Sequence, residues 1–298
     1  MGVFSVLVAR GGSTMRWKGR RGSSNIEDRR GGSATRATGG AGIGVLLIVL
    51  LGWVFGFDAS FLLNQPTSGS SGSGEIGALD ASEEEAAAQF VSVVLADTET
   101  IWSRIFEEQV GRLYRPPVLV LFSGITQSPC GSATGATGPF YCPLDEKAYL
   151  DTAFFAQMRR QFGAEGDFAA AYVVAHEVAH HVQNELGILG RAQSLRSQMG
   201  QAESNQVSVR IELQADCYSG VWAREAQMQL GTLEPGDLEE ALNAANAIGD
   251  DTLQRQSGRV PRPHTFTHGT SEQRMRWFAT GYKSGDVREC DTFGTTNL

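Results

Sequence analysis

The sequence predicts an α+β protein: a mostly helical domain with a small β-sheet, preceded by one transmembrane helix. Three observations carry that prediction. An apolar run without a single charge occupies residues 41–57. Apolar residues recur at helical spacing through much of the chain after Ser82, and a few short strand-like runs fall between Val118 and Leu150. The chain has 298 residues, 41% hydrophobic and 19% charged, enough to bury a sizeable core and too apolar to be disordered throughout.

Residues 1–40 carry eight Lys/Arg against Glu27 and Asp28, whereas the whole chain has a net charge of −8. A basic tail therefore precedes an acidic domain, which excludes a uniformly basic nucleic-acid binder. Nucleic acid or anionic lipid is the rival use of that tail; the simpler reading is that it sets membrane topology, and no nucleic-acid partner is expected. The run from Ala41 to Phe57 rises as a helix by about 1.5 Å per residue, roughly enough to cross the hydrocarbon core. The alternative, a buried core helix, is less favoured, because nothing periodic or polar breaks the run as the face of a globular helix requires. The cationic flank predicts a cytoplasmic N-terminus, so the run reads as a single-pass signal anchor in the cell membrane with everything after Phe57 on the extracytoplasmic side. The expected division is a basic cytoplasmic tail at 1–40, the anchor at 41–57, a flexible linker at 58–81 built around Asn64–Gly74, and a folded domain at 82–298.

In the domain, Ser82 with Glu85 predicts a capping box, and a helical pattern follows through Phe90, Val94, Ile101 and Ile105. Pro116-Pro117 ends any helix, and Val118–Phe122 reads as a strand covered on both faces. Ser128–Pro139 reads as a Gly/Ser/Thr-rich loop, with short strands at Phe140–Cys142 and Ala148–Leu150. Cys130 and Cys142 bracket the loop, outside the cytoplasm, where disulfides persist. Closing so short a loop stabilises by about 3 kcal/mol in the chain-entropy model, and Cys217 with Cys290 is then the second pair. No Cys-x-x-Cys spacing supports the rival reading, a cysteine zinc cluster.

A helix predicted from near Asp167, with Gly187 as its stop, contains His176-Glu177-Val178-Ala179-His180. A spacing of four places both imidazoles on one helix face, where they can bind one metal ion. Glu177 lies too far round to join them but can reach a water on the metal, as a general base must. Neutral imidazoles suit Zn²⁺, and an open fourth position marks a catalytic site. A third ligand has to come from another helix. Glu212 is the leading candidate, with Glu203, Glu225 and Glu185 as alternatives; Asp216, four residues on, would orient a ligating histidine. His181 and Glu185 point away from this face. Near the C-terminus, Thr270 with Gln273 predicts a second capping box and a helix ending near Gly285. His268, just ahead of it, is either a cleft residue stabilising an oxyanion or a loop and surface histidine.

The chain resembles the bacterial neutral zinc metallopeptidase family. The resemblance is carried by Met15–Arg21 with Asn25–Arg30, the histidine motif, Glu212–Asp216 with Cys217, and Phe266 through Asp291. It implies a start at Met15, a zincin-like fold and a glutamate third ligand, as in gluzincins. Thr267-His268 with Arg274 is also similar to a His…Arg element of membrane-associated gluzincins, which favours His268 in the cleft. The expected function is a membrane-anchored, zinc-dependent endopeptidase acting on protein or peptide substrates, with His176, His180 and Glu212 on Zn²⁺ and Glu177 as base. The alternative is a metal-bearing envelope protein that binds or assembles without proteolysis.

Overall fold

A four-stranded sheet and a stack of helices share one main core. The computed structural model describes residues 15–30, 81–134, 137–155 and 166–298. The strands are β1 (Ile26–Asp28), β2 (Val118–Phe122), β3 (Ile125–Ser128), β4 (Gly131–Thr134), β5 (Phe140–Cys142) and β6 (Lys147–Asp151). The sheet order is β1-β2-β6-β5, with β1 and β6 parallel to β2 and β5 antiparallel to β6; β3 and β4 form a separate hairpin. The helices are α1 (Ala81–Ile105), α2 (Asp167–Glu185), α3 (Ile188–Arg196), α4 (Gln201–Glu225), α5 (Asp237–Ala247), α6 (Asp250–Gln256) and α7 (Ser271–Ser284).

Alternation along the strands explains why β2 is covered twice. Leu119 and Leu121, with Ala148 and Leu150 of β6, join the helical core. Val120 and Phe122 face the other way and pack with Tyr149, Ala133 and Cys142. The β3–β4 hairpin covers that second face, where a plain loop was expected, and the Cys130–Cys142 disulfide ties it to β5. The second disulfide, Cys217–Cys290, joins α4 to the C-terminal segment. Nearby, α4 and α7 touch backbone to backbone: a Cβ on Gly220 would overlap the Phe278 carbonyl, and one on Gly281 would overlap that of Cys217. Only glycine permits that approach. Thr270 and Gln273 form the expected capping box on α7, and Gly285 ends it in the left-handed conformation. α1 starts at Ala81, which puts Ser82 inside the helix instead of at its cap.

The N-terminal region departs from expectation. Residues 15–30 are part of the domain, not of a tail running to residue 40. β1 pairs along β2, Met15 is buried in the main core, and Arg20 donates twice to the buried carboxylate of Asp97, at 2.6 and 2.7 Å. Segments on opposite sides of a bilayer cannot share a sheet, so residues 15–30 lie on the same side of any membrane as residues 81–298. This corrects the cytoplasmic placement of that segment opposite an extracytoplasmic domain. Arginines read as part of a topology signal instead pair within the domain: Arg30 with Asp28 and Glu85, and Arg29 with Glu27, which Lys147 of β6 also reaches. The anchor expected at 41–57 lies outside the described residues, as does all of the linker except its last residue, Ala81. Among the described residues no helix is long and apolar enough to cross a membrane.

Burial pushes the Asp97 carboxyl up to about 6, against the pull of Arg20. Replacing Arg20 by Ala leaves that carboxyl buried without its partner, and should destabilise the domain by about 3 kcal/mol in urea unfolding at pH 7.5. A change within about 0.5 kcal/mol, the range of ordinary surface substitutions, would show that the segment is not docked.

Candidate metal centre

α2 is apolar on nearly every side, as a helix crossing the core must be. It carries His176 and His180 one turn apart on one face, their ring centroids 4.8 Å apart. α4 brings Glu212 against them. His176 Nε2 lies 3.1 Å from Glu212 Oε2, and His180 Nε2 lies 3.6 Å from Glu212 Oε1. Three donors bonded to Zn²⁺ at about 2.1 Å in a tetrahedron stand about 3.4 Å from one another, so the spacing fits. The donor chemistry fits as well: two imidazoles and one carboxylate, with ligand atoms all within 4.8 Å.

The other acids weighed as third ligand are engaged elsewhere. Glu185 pairs with Arg115 at 2.5 Å, Glu203 accepts the Gly200 N–H at the start of α4, and Glu225 accepts from Gln229. His181 is held between Tyr141 Oη (3.0 Å) and the Arg115 carbonyl (2.6 Å), fastening α2 to strand β5.

Each imidazole is also held from behind. His180 Nδ1 lies 2.9 Å from Gln183 Oε1, and Gln183 in turn donates to Ile211 O and Gln214 Oε1 on α4. An amide oxygen can only accept, so Nδ1 carries the proton and Nε2 keeps its lone pair for a metal. His176 Nδ1 lies 3.0 Å from Asp216 Oδ1, close but poorly aligned for a hydrogen bond. Asp216 has no solvent exposure. It accepts from Arg274 Nε at 2.8 Å, from Arg274 Nη2 at 3.0 Å and from Tyr172 Oη at 2.5 Å. Arg274, reaching in from α7, is itself 2% exposed. Tyr172, Gln183 and Arg274 were not among the site residues expected from sequence. Tyr172 stands four residues before His176 and Gln183 three after His180, so helix-face spacing could have found both.

Electrostatics separate the carboxylates. Burial pushes Glu177 up to about 7, and the charge of Glu212 adds to the shift. Its Oε2 is buried and accepts no hydrogen bond. Glu212 is also burdened by burial, but the His180 charge and the His176 hydrogen bond hold it well below the usual carboxylate range. Burial opposes a charge on Asp216 too, and Arg274 with His176 keeps it ionised. Burial works against charge on His176, yet the neighbouring carboxylates of Asp216 and Glu212 raise it to about 9; burial lowers His180. A metal ion would take the place of the proton that these contacts draw to His176. His268 is half-exposed and contacts Asp250 Oδ1 at 3.3 Å. Burial opposes its charge, while Asp250 and Glu212 raise its pKa, so it lies within electrostatic reach of the centre without joining the ligand set.

The fold is α+β, and it brings two histidines and one glutamate into a group that could hold a metal ion. The chain matches the family described as "Putative neutral zinc metallopeptidase" over residues 15–293, and it belongs to that family. The uncharacterized protein YpfJ of Escherichia coli K12 is 48% identical over 291 residues, covering 94% of this chain and 99% of its own length. The uncharacterized protein Rv2575 of Mycobacterium tuberculosis H37Rv is 50% identical over 195 residues, 62% of this chain and 65% of its own length. No solved structure matches the chain.

If Asp216 orients His176, Asp216→Asn should weaken zinc binding about 10- to 100-fold in competition with a chromophoric chelator, measured on protein shown by circular dichroism to be folded. Unaltered affinity would remove Asp216 from the centre.

Proposed function

We propose that the protein is a zinc-dependent endopeptidase, with His176, His180 and Glu212 as the metal ligands and Glu177 as general base. The observation that carries this reading is the convergence of the three donors at zinc spacing, beside a buried carboxyl with a free oxygen. Bound there, zinc supplies Lewis-acid polarisation of the scissile carbonyl and lowers the pKa of a water towards about 7.

The chain's own groups divide the remaining work. Glu177, raised to about 7, is matched to taking a proton from the attacking water and returning it to the leaving amine near neutral pH. Gln183 and Asp216 hold the imidazoles in orientation. Asp250 holds His268 at the edge of the centre, from where a protonated ring can stabilise negative charge developing on the carbonyl oxygen. β5 is an edge of the sheet, paired only with β6 among the described residues, and Tyr141 links it to the metal-bearing helix. An extended peptide adding to that edge by backbone hydrogen bonds would run beside the centre, which favours unfolded segments as substrates. The two disulfides support a site of action in an oxidising compartment outside the cytoplasm.

The Glu177→Gln variant keeps the metal ligands and removes the base. It should retain one zinc per chain and lose at least about 100-fold in kcat/KM on an unfolded protein substrate. Cleavage at the wild-type rate would contradict the assignment.

A further inference from the structure

A second cluster of charge lies away from the histidines, where the N-terminal segment meets the helices. Asp167 in the first turn of α2, and Asp237 and Glu240 in the first turn of α5, bring carboxylate oxygens within 4.8 Å of one another. Asp237 has no solvent exposure. Its Oδ2 accepts the Glu234 N–H at 2.8 Å, while its Oδ1 is buried and accepts nothing. Glu240 Oε2 accepts the Phe168 N–H at 3.0 Å.

The helix N-termini offset part of this negative charge, but no Lys or Arg among the described residues is paired with any of the three acids. Arg16, next to Met15 in the chain, pairs with Glu234 instead. Burial and mutual repulsion push Asp237 up to about 6 and Glu240 up to about 7. A cation is what the arrangement lacks.

The backbone nitrogen of Met15 meets the cluster at Asp167, donating to its Oδ1 at 2.9 Å. Its position is firmly held: the Met15 side chain is 2% exposed in the main core, and the next residue's N–H donates to Thr232 O at 2.9 Å. Asp167 is further held by the Trp17 side chain. An amide nitrogen at this point offers one hydrogen and no charge to three carboxylates. An α-ammonium offers three hydrogens and the missing charge, ionised below about pH 8.

We propose that Asp167, Asp237 and Glu240 form the binding site for the α-ammonium group of Met15, in a protein whose mature chain begins at that residue. The occupied site locks residues 15–30, and with them strand β1, onto the domain. The start at Met15 implied by family resemblance thus gains a structural reason: the new terminus is itself a ligand.

The test uses the whole chain and three readouts. Intact mass of untagged protein, produced from its own upstream sequence, should correspond to a first residue of Met15; a mass that includes residues 1–14 overturns the proposal. Chains beginning at Met15 are then compared with chains carrying a Gly-Ser extension before it. The extension should lower the melting temperature by about 3 °C or more. Asp237→Asn should destabilise the chain beginning at Met15 but leave the extended chain unchanged or more stable; equal effects in both chains overturn the proposal. Glu240→Gln serves in the same comparison if the Asp237 variant does not fold. Finally, the α-amine of the native protein should resist acylation under conditions that label it fully in urea. A calcium- or magnesium-dependent rise in melting temperature, equal in both chains and abolished by Asp237→Asn, would assign the cluster to a divalent cation and overturn the ammonium.

Discussion

The centre depends on keeping one fully buried carboxylate charged. Asp216 sits on α4 with no access to water, and an isolated ion there would neutralise or force the helices apart. Arg274 prevents both by donating two hydrogen bonds from α7, and Tyr172 adds a third from α2. Three helices distant in sequence are thus pinned at one point. His176 is one turn after Tyr172 on α2, and Glu212 is one turn before Asp216 on α4. The ligand geometry is therefore a consequence of the buried ion pair. Loss of either charged partner would leave the other buried alone, a penalty of about 3–5 kcal/mol.

The backbone makes that pinning possible. Gly220 and Gly281 let α4 and α7 approach until their main chains touch, which brings Arg274 within reach of Asp216. The Cys217–Cys290 disulfide fastens the same region one residue from Asp216. On the other side of the centre, His181 ties α2 to β5, so the sheet edge and the helix that carries the histidines hold a fixed relation. Stability and chemistry use the same residues here, which is why few of the polar groups around the centre are free to change independently.

Much of this is legible in the sequence. The two histidines four apart, the apolar helix that carries them, the Thr270–Gln273 cap and the Cys130–Cys142 disulfide follow from short-range spacing or from local composition, and Cys217–Cys290 is then the remaining pair. What escaped the sequence was set by pairing over long distances. β1 is three residues in a strongly basic segment, and its strand character comes from β2, more than ninety residues later, not from its own apolar pattern. Its arginines resembled a membrane-topology signal because nothing local shows that Asp97 and Glu85 await them. The β3–β4 hairpin has the composition of a loop; it becomes ordered by covering the second face of β2. Arg274 carried no signal of its own beyond a family resemblance, since its partner is 58 residues away.

In the proposed centre two imidazoles and a distant carboxylate share one zinc ion. X-ray absorption at the zinc edge, on protein loaded with one equivalent of the metal, tests it directly. The account predicts a shell of nitrogen and oxygen at about 2.0–2.1 Å with scattering from two imidazoles, and loss of tightly held zinc in Glu212→Ala. A sulfur shell, or zinc retained with an unaltered spectrum in that variant, would contradict it.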